Sequence, residues 1–374
     1  MRAPSWLSAL ALAGVLGGGC GATSDPVSDI AAPGVPLTEP PARAASVGDG
    51  VRGRDLPGVN IDPSVLRNPA PVGHPSPGTP EAPLRPQAVP SSVTPWSDLA
   101  RRLAADGISG PQVDALLETL PPVPTQSPMG RKMTALYQRR FFPKPPSTAP
   151  AALYYKGVLT EANAQACRDF LAANAGAFAT AERCYQVPPS IAVALLFVET
   201  RLGKVLADVK ENAFYTLASM AVSRTPESIA GWLPKMKDHE KHRDWFAQTM
   251  PKRADWAYAE TKALVRYMLR EGIRPDQLPS SIYGAVGLCQ FMPSNIDVYG
   301  ADGDGDGRVN LFEIPDAVAS LANYLYRHGW RAGIDRARQH KLLMAYNHSS
   351  VYANTILALS DMVEGRAVNQ GQGA

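Results

Sequence analysis

Glu199 ends an uninterrupted apolar run, Ile191–Val198, and is the residue of this chain best placed for proton transfer. The pair Pro188–Pro189 precedes the run, where a helix tolerates proline, and Gly203 follows it, where a helix usually ends. Burial and the negative end of the helix dipole both disfavour a charged carboxylate, so both would raise the pKa of Glu199. A general acid at neutral pH requires such a pKa. The alternative is a carboxylate at the helix edge that reaches solvent or pairs with Arg201.

A second group of carboxylates lies in an acidic, glycine-rich segment, 302–313. Its carboxylates at loop positions 1, 3, 5 and 12 and its glycine at position 6 reproduce an EF-hand calcium loop. The predicted ligands are the side chains of Asp302, Asp304, Asp306, Asn310 and Glu313 and the carbonyl of Arg308. The alternative is a solvated acidic turn. Because calcium sensors usually carry paired loops and this sequence has one, we expect a structural Ca²⁺ ion that takes no part in the chemistry.

The N-terminal region has the composition of an export signal followed by a tether. Residues 1–19 carry one positive charge and an apolar stretch too short to anchor a chain in a membrane, which predicts a lipoprotein signal peptide. Cys20 follows three glycines at the end of that stretch and is the predicted lipidation site; ordinary signal cleavage before Ser24 is the alternative. Residues 20–94 are rich in Pro, Ala and Gly and lack periodic apolar residues, which predicts a disordered tether.

Helical periodicity dominates the remainder of the chain. From residue 95 to 363, helix-period apolar patterns follow one another with hardly any strand-like alternation, so we expect one large, mainly α domain. Residues 364–374 are predicted to be a disordered C-terminal tail. The net charge of +3 is compatible with an anionic polymer as substrate. No basic stripe with interleaved aromatic residues indicates nucleic-acid binding.

Three cysteines lie in the predicted helical domain: Cys167, Cys184 and Cys289. Export permits a disulfide, and Cys167 and Cys184 lie on two successive predicted helices, so these two form the candidate bridge. Three separately buried thiols are an equally acceptable interpretation.

Several motifs occur in a fixed order: VETRLG at 198–203, GAVGLCQFMPS at 284–294, the acidic loop, and SLANYLYRHGW at 320–330. Over about 96–363 the chain thereby resembles the membrane-bound lytic transglycosylase B family, bacterial enzymes that cleave peptidoglycan. The resemblance implies a lysozyme-like helical fold for residues 95–363. Residues 224–253 depart from the family pattern, and Cys289 stands where glycine is common.

The resemblance also assigns roles to individual residues. It implies that Glu199 is the catalytic acid/base, and that Ser281 and Gln290 line the sugar site. The other residues that it places at the substrate are Tyr324, Tyr346, Asn347 and Tyr352.

The number of carboxylates bears on the chemistry. A glycoside hydrolase usually employs two carboxylates, whereas here only Glu199 lies in a motif; Asp208 and Glu211 are nearest in sequence, in a charged stretch. One acid/base suffices if the MurNAc 6-hydroxyl is the nucleophile, which gives a 1,6-anhydro product. The expected function is therefore a peptidoglycan lytic transglycosylase. The alternatives are a goose-type muramidase and a non-catalytic, calcium-stabilised peptidoglycan-binding protein.

The same features predict where the protein acts. We expect a periplasmic enzyme of a Gram-negative bacterium that binds peptidoglycan glycan strands. Gly21, rather than aspartate, follows Cys20, which favours a lipid anchor in the outer membrane. Proteins of cell-wall synthesis or hydrolysis are the expected protein partners.

Overall fold

The structure, a computed structural model, describes residues 95–145 and 151–368. The predictions made for residues 1–94, which comprise the signal peptide, the lipidation of Cys20 and the tether, lie outside the described residues. Residues 369–374, at the end of the predicted tail, lie outside them as well.

Within the described residues the fold is mainly α, as predicted, with isolated β-bridges and no β-strand. In chain order the helices are α1 (Ser97–Ala105), α2 (Pro111–Glu118), α3 (Ser127–Phe141), α4 (Glu161–Ala173), α5 (Ala175–Tyr185), α6 (Pro189–Thr200), α7 (Ala213–Val222), α8 (Arg243–Glu271), α9 (Pro293–Tyr299), α10 (Ile314–Arg327), α11 (Arg336–Tyr346) and α12 (Ser350–Val363). Short 3-10 helices lie at Lys204–Asp208, Pro226–Lys235, His239–His242 and Pro275–Gln277. No helix in this part of the chain combines the length and the apolar content needed to span a bilayer.

The helix that carries Glu199 is α6, and it runs through the centre of the core. The sequence predicts a single apolar stripe, but the structure buries every residue from Ser190 to Phe197, because α4, α5, α10 and α12 all pack against this helix. The helix ends at Thr200, ahead of the glycine predicted to end it. Arg201 and Leu202 already have left-handed backbone angles, with φ of 52° and 60°.

A glycine-rich segment, 279–292, lies beside the C-terminal end of α6. Short antiparallel bridges fold it on itself, between Ser280 and Val286 and between Val286 and Phe291. Gly287 has a φ of 75°, and a Cβ added there would lie 2.4 Å from the Cβ of Leu311. Only glycine fits at this position, because the backbone turns left-handed and packs directly against the acidic loop.

The candidate disulfide is not formed in the structure. Cys167 and Cys184 lie on the successive helices α4 and α5, as expected, but both are free thiols. The two side chains have different surroundings: Cys167 is buried in the core and Cys184 is exposed on α5. Cys289, the third thiol, is buried as well.

The first residues of the predicted C-terminal tail contact the folded domain. Ser190, at the start of α6, donates a hydrogen bond to the carboxylate of Glu364. Arg366 forms an ion pair with Asp361 at 3.0 Å. The ordered part of the chain therefore extends past the predicted boundary at residue 363.

Candidate active site

Glu199 lies in the last turn of α6, in a partly exposed position at the edge of the buried helix. The hydroxyl of Tyr352 donates a hydrogen bond of 2.5 Å to Glu199 Oε1. Burial raises the pKa of Glu199 from 4.5 to about 7, and the hydrogen bond from Tyr352 acts in the opposite direction, because it stabilises the charged carboxylate. A carboxyl group with this pKa can both release and accept a proton near neutral pH.

Two of the sequence-predicted substrate residues lie next to Glu199. Tyr352 is in the first turn of α12, and Tyr346 ends α11. Their rings are nearly parallel, with centroids 6.4 Å apart and an interplanar angle of 13°. Tyr346 donates a 2.6 Å hydrogen bond to the carbonyl oxygen of Cys289. Burial raises the pKa values of both tyrosines well above the ordinary value, so both hydroxyls remain protonated donors.

The structure adds a third tyrosine, Tyr155, which the sequence analysis did not identify. Its hydroxyl is buried near Glu199 and Ser349 and forms no hydrogen bond of ordinary geometry. The backbone N–H of Tyr155 donates to Thr355 Oγ1 at 2.9 Å, which fixes this segment against α12. No periodic pattern surrounds Tyr155 in the sequence, so only the tertiary fold could show that it lies at the site.

Ser281 and Gln290 are partly exposed residues of the glycine-rich segment, and the side chain of each stabilises the local turn by hydrogen bonds to the backbone. Ser281 Oγ accepts hydrogen bonds from the backbone N–H groups of Tyr283 and Ala285, at 3.3 and 3.1 Å. Gln290 has a left-handed φ of 53°, and its side-chain amide donates to the Gly287 carbonyl at 2.9 Å. These hydrogen bonds fix the shape of the segment next to Glu199.

Thr200 connects the glycine-rich segment to helix α6. Its hydroxyl donates to the Leu288 carbonyl oxygen at 3.0 Å and accepts from the Gly203 N–H at 3.1 Å. Thr200 directly follows Glu199 and is fully buried. The hydrogen bonds of Thr200 therefore fix the position of Glu199 relative to the glycine-rich segment.

Tyr324 and Asn347 differ from the other predicted substrate residues. Tyr324 is buried, its hydroxyl donates to the Ala345 carbonyl at 2.8 Å, and its ring lies 4.8 Å from that of Tyr346. The Tyr324 hydroxyl is therefore hydrogen-bonded within the protein, and its ring packs against the ring of Tyr346. Asn347 caps the C-terminus of α11 and is partly exposed directly after Tyr346.

The acidic loop brings three carboxylates together, but not the set predicted from the sequence. Oxygen atoms of Asp302, Asp304 and Asp316 lie within 4.8 Å of one another. Asp316 belongs to the first turn of α10, is 1% exposed, and accepts the backbone N–H groups of Gly303 and Asn310 at 2.7 and 2.6 Å. Such an all-oxygen set, with one member fixed by the fold, fits a hard cation such as Ca²⁺.

Two carboxylates predicted as ligands lie outside this group. Asp306 accepts the backbone N–H of Arg308 at 2.8 Å, so it closes its own turn. Glu313 is the residue before α10, and its carboxylate accepts the side-chain amide of Asn310 at 2.7 Å. The loop pattern predicts Glu313 as the last ligand, whereas the start of α10 turns Asp316, three residues later, toward Asp302 and Asp304.

The acidic loop is connected to the active site by backbone hydrogen bonds. The N–H of Leu288, in the glycine-rich segment, donates to the Leu311 carbonyl at 2.8 Å. Glu271, at the end of α8, accepts the Val309 N–H at 3.0 Å. Because Leu288 also accepts the hydroxyl of Thr200, the loop supports the same segment that positions Glu199.

Comparison with known proteins gives consistent results. The family model described as transglycosylase SLT domain matches residues 92–342. The membrane-bound lytic murein transglycosylase B of Escherichia coli strain K12 is 32% identical over 192 residues, which are 51% of this chain and 45% of that protein. The chain thus matches less than half the length of this relative.

Solved structures share the fold at lower identity. Soluble lytic transglycosylase SltB1 from Pseudomonas aeruginosa has a TM-score of 0.53 and 21% identity, over 72% of this chain and 97% of that one. The Escherichia coli lytic transglycosylase Slt35 in complex with calcium has a TM-score of 0.52 and 21% identity, over 73% and 93%. SltB3 from Pseudomonas aeruginosa in complex with NAG-anhNAM-pentapeptide has a TM-score of 0.54 and 19% identity, over 72% and 78%.

Proposed function

The chain belongs to the transglycosylase SLT domain family, and from this premise we propose that it is a lytic murein transglycosylase. It would cleave the β-1,4 bond between MurNAc and GlcNAc in peptidoglycan without water. One observation carries the proposal: Glu199 lies in the last turn of the buried helix α6 and accepts the Tyr352 hydroxyl, and burial there raises its pKa to about 7. Among the described residues, burial and the Tyr352 hydrogen bond suffice to explain this pKa without a second carboxylate.

The reaction can be written with a single acid/base. Protonated Glu199 donates its proton to the glycosidic oxygen, and the bond between that oxygen and C1 of MurNAc breaks as GlcNAc leaves. The resulting carboxylate removes the proton of the MurNAc 6-hydroxyl, whose oxygen forms a bond to C1 of the same ring. The products are a 1,6-anhydroMurNAc end and a free GlcNAc hydroxyl, and Glu199 is protonated again.

The surrounding residues support this chemistry. Tyr352 would orient the carboxylate through its hydrogen bond, and the edge of Tyr346 and the partly exposed Asn347 would contact the sugar. Ser281 and Gln290 would bind the sugar from the opposite segment, since both are partly exposed and have further hydrogen-bonding capacity. The SltB3 structure with NAG-anhNAM-pentapeptide supports an anhydromuramyl product for this fold.

Mass analysis of digested sacculi tests the proposed reaction. The purified protein should release fragments with 1,6-anhydromuramyl ends, which lack the water that hydrolysis adds. Reducing muramyl ends as the main product would favour the goose-type muramidase. Binding to sacculi without release of fragments would favour the non-catalytic binding protein.

We further propose that the acidic loop binds a structural Ca²⁺ ion. Asp302, Asp304 and the buried Asp316 would provide the carboxylate oxygens. Movement of the exposed side chains could add the other ligands predicted from the sequence, namely Asp306, the Arg308 carbonyl, Asn310 and Glu313. The Slt35 structure in complex with calcium supports this assignment.

The location of the protein is also proposed. We infer that Cys20 is lipidated and anchors the chain in the outer membrane, facing the periplasm. The relative in Escherichia coli is described as membrane-bound, which supports an envelope location. Replacement of Cys20 by serine should release the protein from the membrane fraction; unchanged fractionation would contradict the anchor. Protein partners in cell-wall synthesis or hydrolysis stay a prediction.

A further inference from the structure

A basic and aromatic surface lies next to the glycine-rich segment, and the proposed mechanism does not use it. We call it the basic–aromatic ridge and define it by five residues: Arg131, Lys132, Trp232, Lys235 and Tyr283. It joins α3, the 3-10 helix Pro226–Lys235 and the glycine-rich segment.

Helix α3 gives the ridge its charge. This helix contains one Arg-Lys pair, at 131–132, one Arg-Arg pair, at 139–140, and no acidic residue. Arg131 is exposed, and its guanidinium donates to Ser127 Oγ at 3.0 Å. Among the described residues, no carboxylate forms an ion pair with Arg131 or with Lys235, so both cations are available to a ligand.

Trp232 forms a fixed aromatic platform between two cations. Its ring packs directly on Gly130, where an added Cβ would lie 2.3 Å from the indole. Lys235 Nζ lies 3.9 Å from the ring centroid, and the guanidinium carbon of Arg131 lies 5.9 Å from it. The tryptophan is only partly buried, so part of it stays open to solvent beside two positive charges.

Tyr283 connects the ridge to the active site. The Lys132 ammonium lies 5.2 Å from the centroid of its ring. Tyr283 follows Ser281 by two residues, and its N–H donates to Ser281 Oγ at 3.3 Å. Arg131 also lowers the pKa of Tyr283, against the larger effect of burial, which places its charge near this ring as well as near Trp232. The ridge is thus continuous from Ser281 to Trp232.

We propose that the basic–aromatic ridge binds the peptide stem of the peptidoglycan substrate. This proposal rests on the proposed function, because the stem is attached through the lactyl group of the MurNAc residue at the active site. The stem is an acidic peptide, so its carboxylates complement Arg131 and Lys235. Its aliphatic parts would pack on Trp232 and Tyr283.

Binding measurements with two defined fragments test the proposal. One is a GlcNAc–MurNAc disaccharide that carries a pentapeptide, and the other is the same disaccharide without the peptide. Titrations would use the full chain with Glu199→Gln, which prevents turnover. The unmodified ridge should bind the peptide-bearing fragment more tightly, and the preference should decrease at high salt, because exposed charges are screened.

The double substitution Arg131→Gln and Lys235→Gln should weaken binding of the peptide-bearing fragment by about two- to thirtyfold, since exposed ion pairs contribute about 0.2–1 kcal/mol each. Binding of the peptide-free disaccharide should not change. Arg140→Gln is the matched control: it removes a charge from the same helix, nine residues from Arg131 and therefore on the opposite side of α3. It should leave both affinities unchanged.

Three results would overturn the proposal. Equal affinity of the unmodified ridge for the two fragments would show that the stem is not bound. Equal weakening for both fragments would show that Arg131 and Lys235 act on the glycan. Loss of binding to phosphatidylglycerol vesicles, without any effect on the peptide-bearing fragment, would assign the ridge to a lipid surface. Failure of the proposed function is distinguishable, because it appears as the absence of anhydromuramyl products from the wild-type protein.

Discussion

Glu199 and the acidic loop use the same functional group in opposite ways. Glu199 is a single carboxyl on a buried helix, surrounded by tyrosines, and its pKa is raised to about 7. Asp302 and Asp304 are exposed, and the backbone N–H groups of Gly307 and Gly305 lower the pKa of Asp302. Removal from water prepares a carboxyl for proton transfer, whereas exposure and backbone donors keep a carboxylate charged for a cation.

Asp316 combines features of Glu199 and of the exposed loop carboxylates. It is as buried as a core residue, and burial raises its pKa, but it also accepts two backbone N–H groups that stabilise the charge. Those donors belong to the loop itself, at Gly303 and Asn310. Burial alone therefore does not identify a proton-transfer group; the number of N–H donors on the carboxylate distinguishes Asp316 from Glu199.

The largest expected effect is on catalysis by Glu199. Glu199→Gln retains size and hydrogen bonding but can neither donate nor accept the proton. General acid/base catalysis contributes about 10²–10⁴-fold, so the variant should lose at least about that factor in the rate of anhydromuramyl release. Binding to sacculi should be retained. The matched controls Asp208→Asn and Glu211→Gln should retain near wild-type rates; a comparable loss in either would indicate a two-carboxylate hydrolase.

Calcium should affect stability through the acidic loop. A ligand that binds only the folded state stabilises it by about 2.7 kcal/mol at a concentration one hundred times its Kd. Addition of Ca²⁺ to chelated protein should therefore raise the melting temperature, and chelation should not abolish folding, because the helical core is large. A melting curve that does not respond to Ca²⁺ would rule out the site.

Two substitutions determine which ligand set is correct. Asp316→Asn should remove most of the calcium-dependent rise in melting temperature, and Glu313→Gln should remove less of it, because Asp316 belongs to the observed group of three. The measured quantity is the difference between melting temperatures with and without Ca²⁺, which separates ion binding from the intrinsic stability of each variant. A larger loss in Glu313→Gln than in Asp316→Asn would support the ligand set predicted from the sequence for the loop 302–313.

The raised pKa of Glu199 also implies a cost in stability. Its folded-state pKa of about 7 exceeds the ordinary value of 4.5, so the protonated folded form is favoured at low pH. This contribution is fully present below about pH 4.5 and is lost as the pH rises through 7. Relative to Glu199→Gln, the wild-type protein should lose about 2–3 kcal/mol of unfolding free energy between pH 5 and pH 8.5.

Urea unfolding of the two proteins at both pH values measures this difference. Other titrating groups are common to wild type and variant, so their contributions cancel in the comparison. The same free-energy gap at pH 5 and pH 8.5 would mean that Glu199 has an ordinary pKa in the folded protein. For the acidic loop, the expected dependence of stability is on Ca²⁺.

The sequence predicted what depends on local pattern. The apolar run before Glu199 indicated a buried helix, and the motif order indicated the helical fold that the structure has. The family resemblance placed Tyr346 and Tyr352 at the substrate, and the structure shows both near Glu199. In each case the relevant signal lies within a few residues or in a motif that the chain retains.

What the sequence could not predict depends on contacts between distant segments. Tyr155 reaches the site only because its segment packs on α12, through Thr355. Asp316, and not Glu313, lies beside Asp302 and Asp304, because the start of α10 determines which carboxylate turns inward. The spacing of Cys167 and Cys184 suggested a pair, but no spacing rule indicates which side of each helix is buried.

The smallest expected effect concerns Tyr352, and it tests how the pKa of Glu199 is set. Tyr352→Phe removes the hydroxyl that donates to Glu199 Oε1, and with it the one interaction found to lower the pKa of that carboxyl. The pKa should therefore rise, and the alkaline limb of the pH–rate profile should move to higher pH, since activity requires protonated Glu199. The maximal rate should fall by about tenfold, because a hydrogen bond of about 1–1.5 kcal/mol is lost. A purely structural role would lower the rate at every pH without displacing the limb.

Tyr324→Phe is the control, because it removes a buried hydroxyl that donates to the Ala345 carbonyl rather than to Glu199, and it should leave the limb in place. A limb that moves to lower pH in Tyr352→Phe would mean that Tyr352 stabilises the protonated carboxyl, and that burial alone does not account for the difference between Glu199 and the carboxylates of the acidic loop.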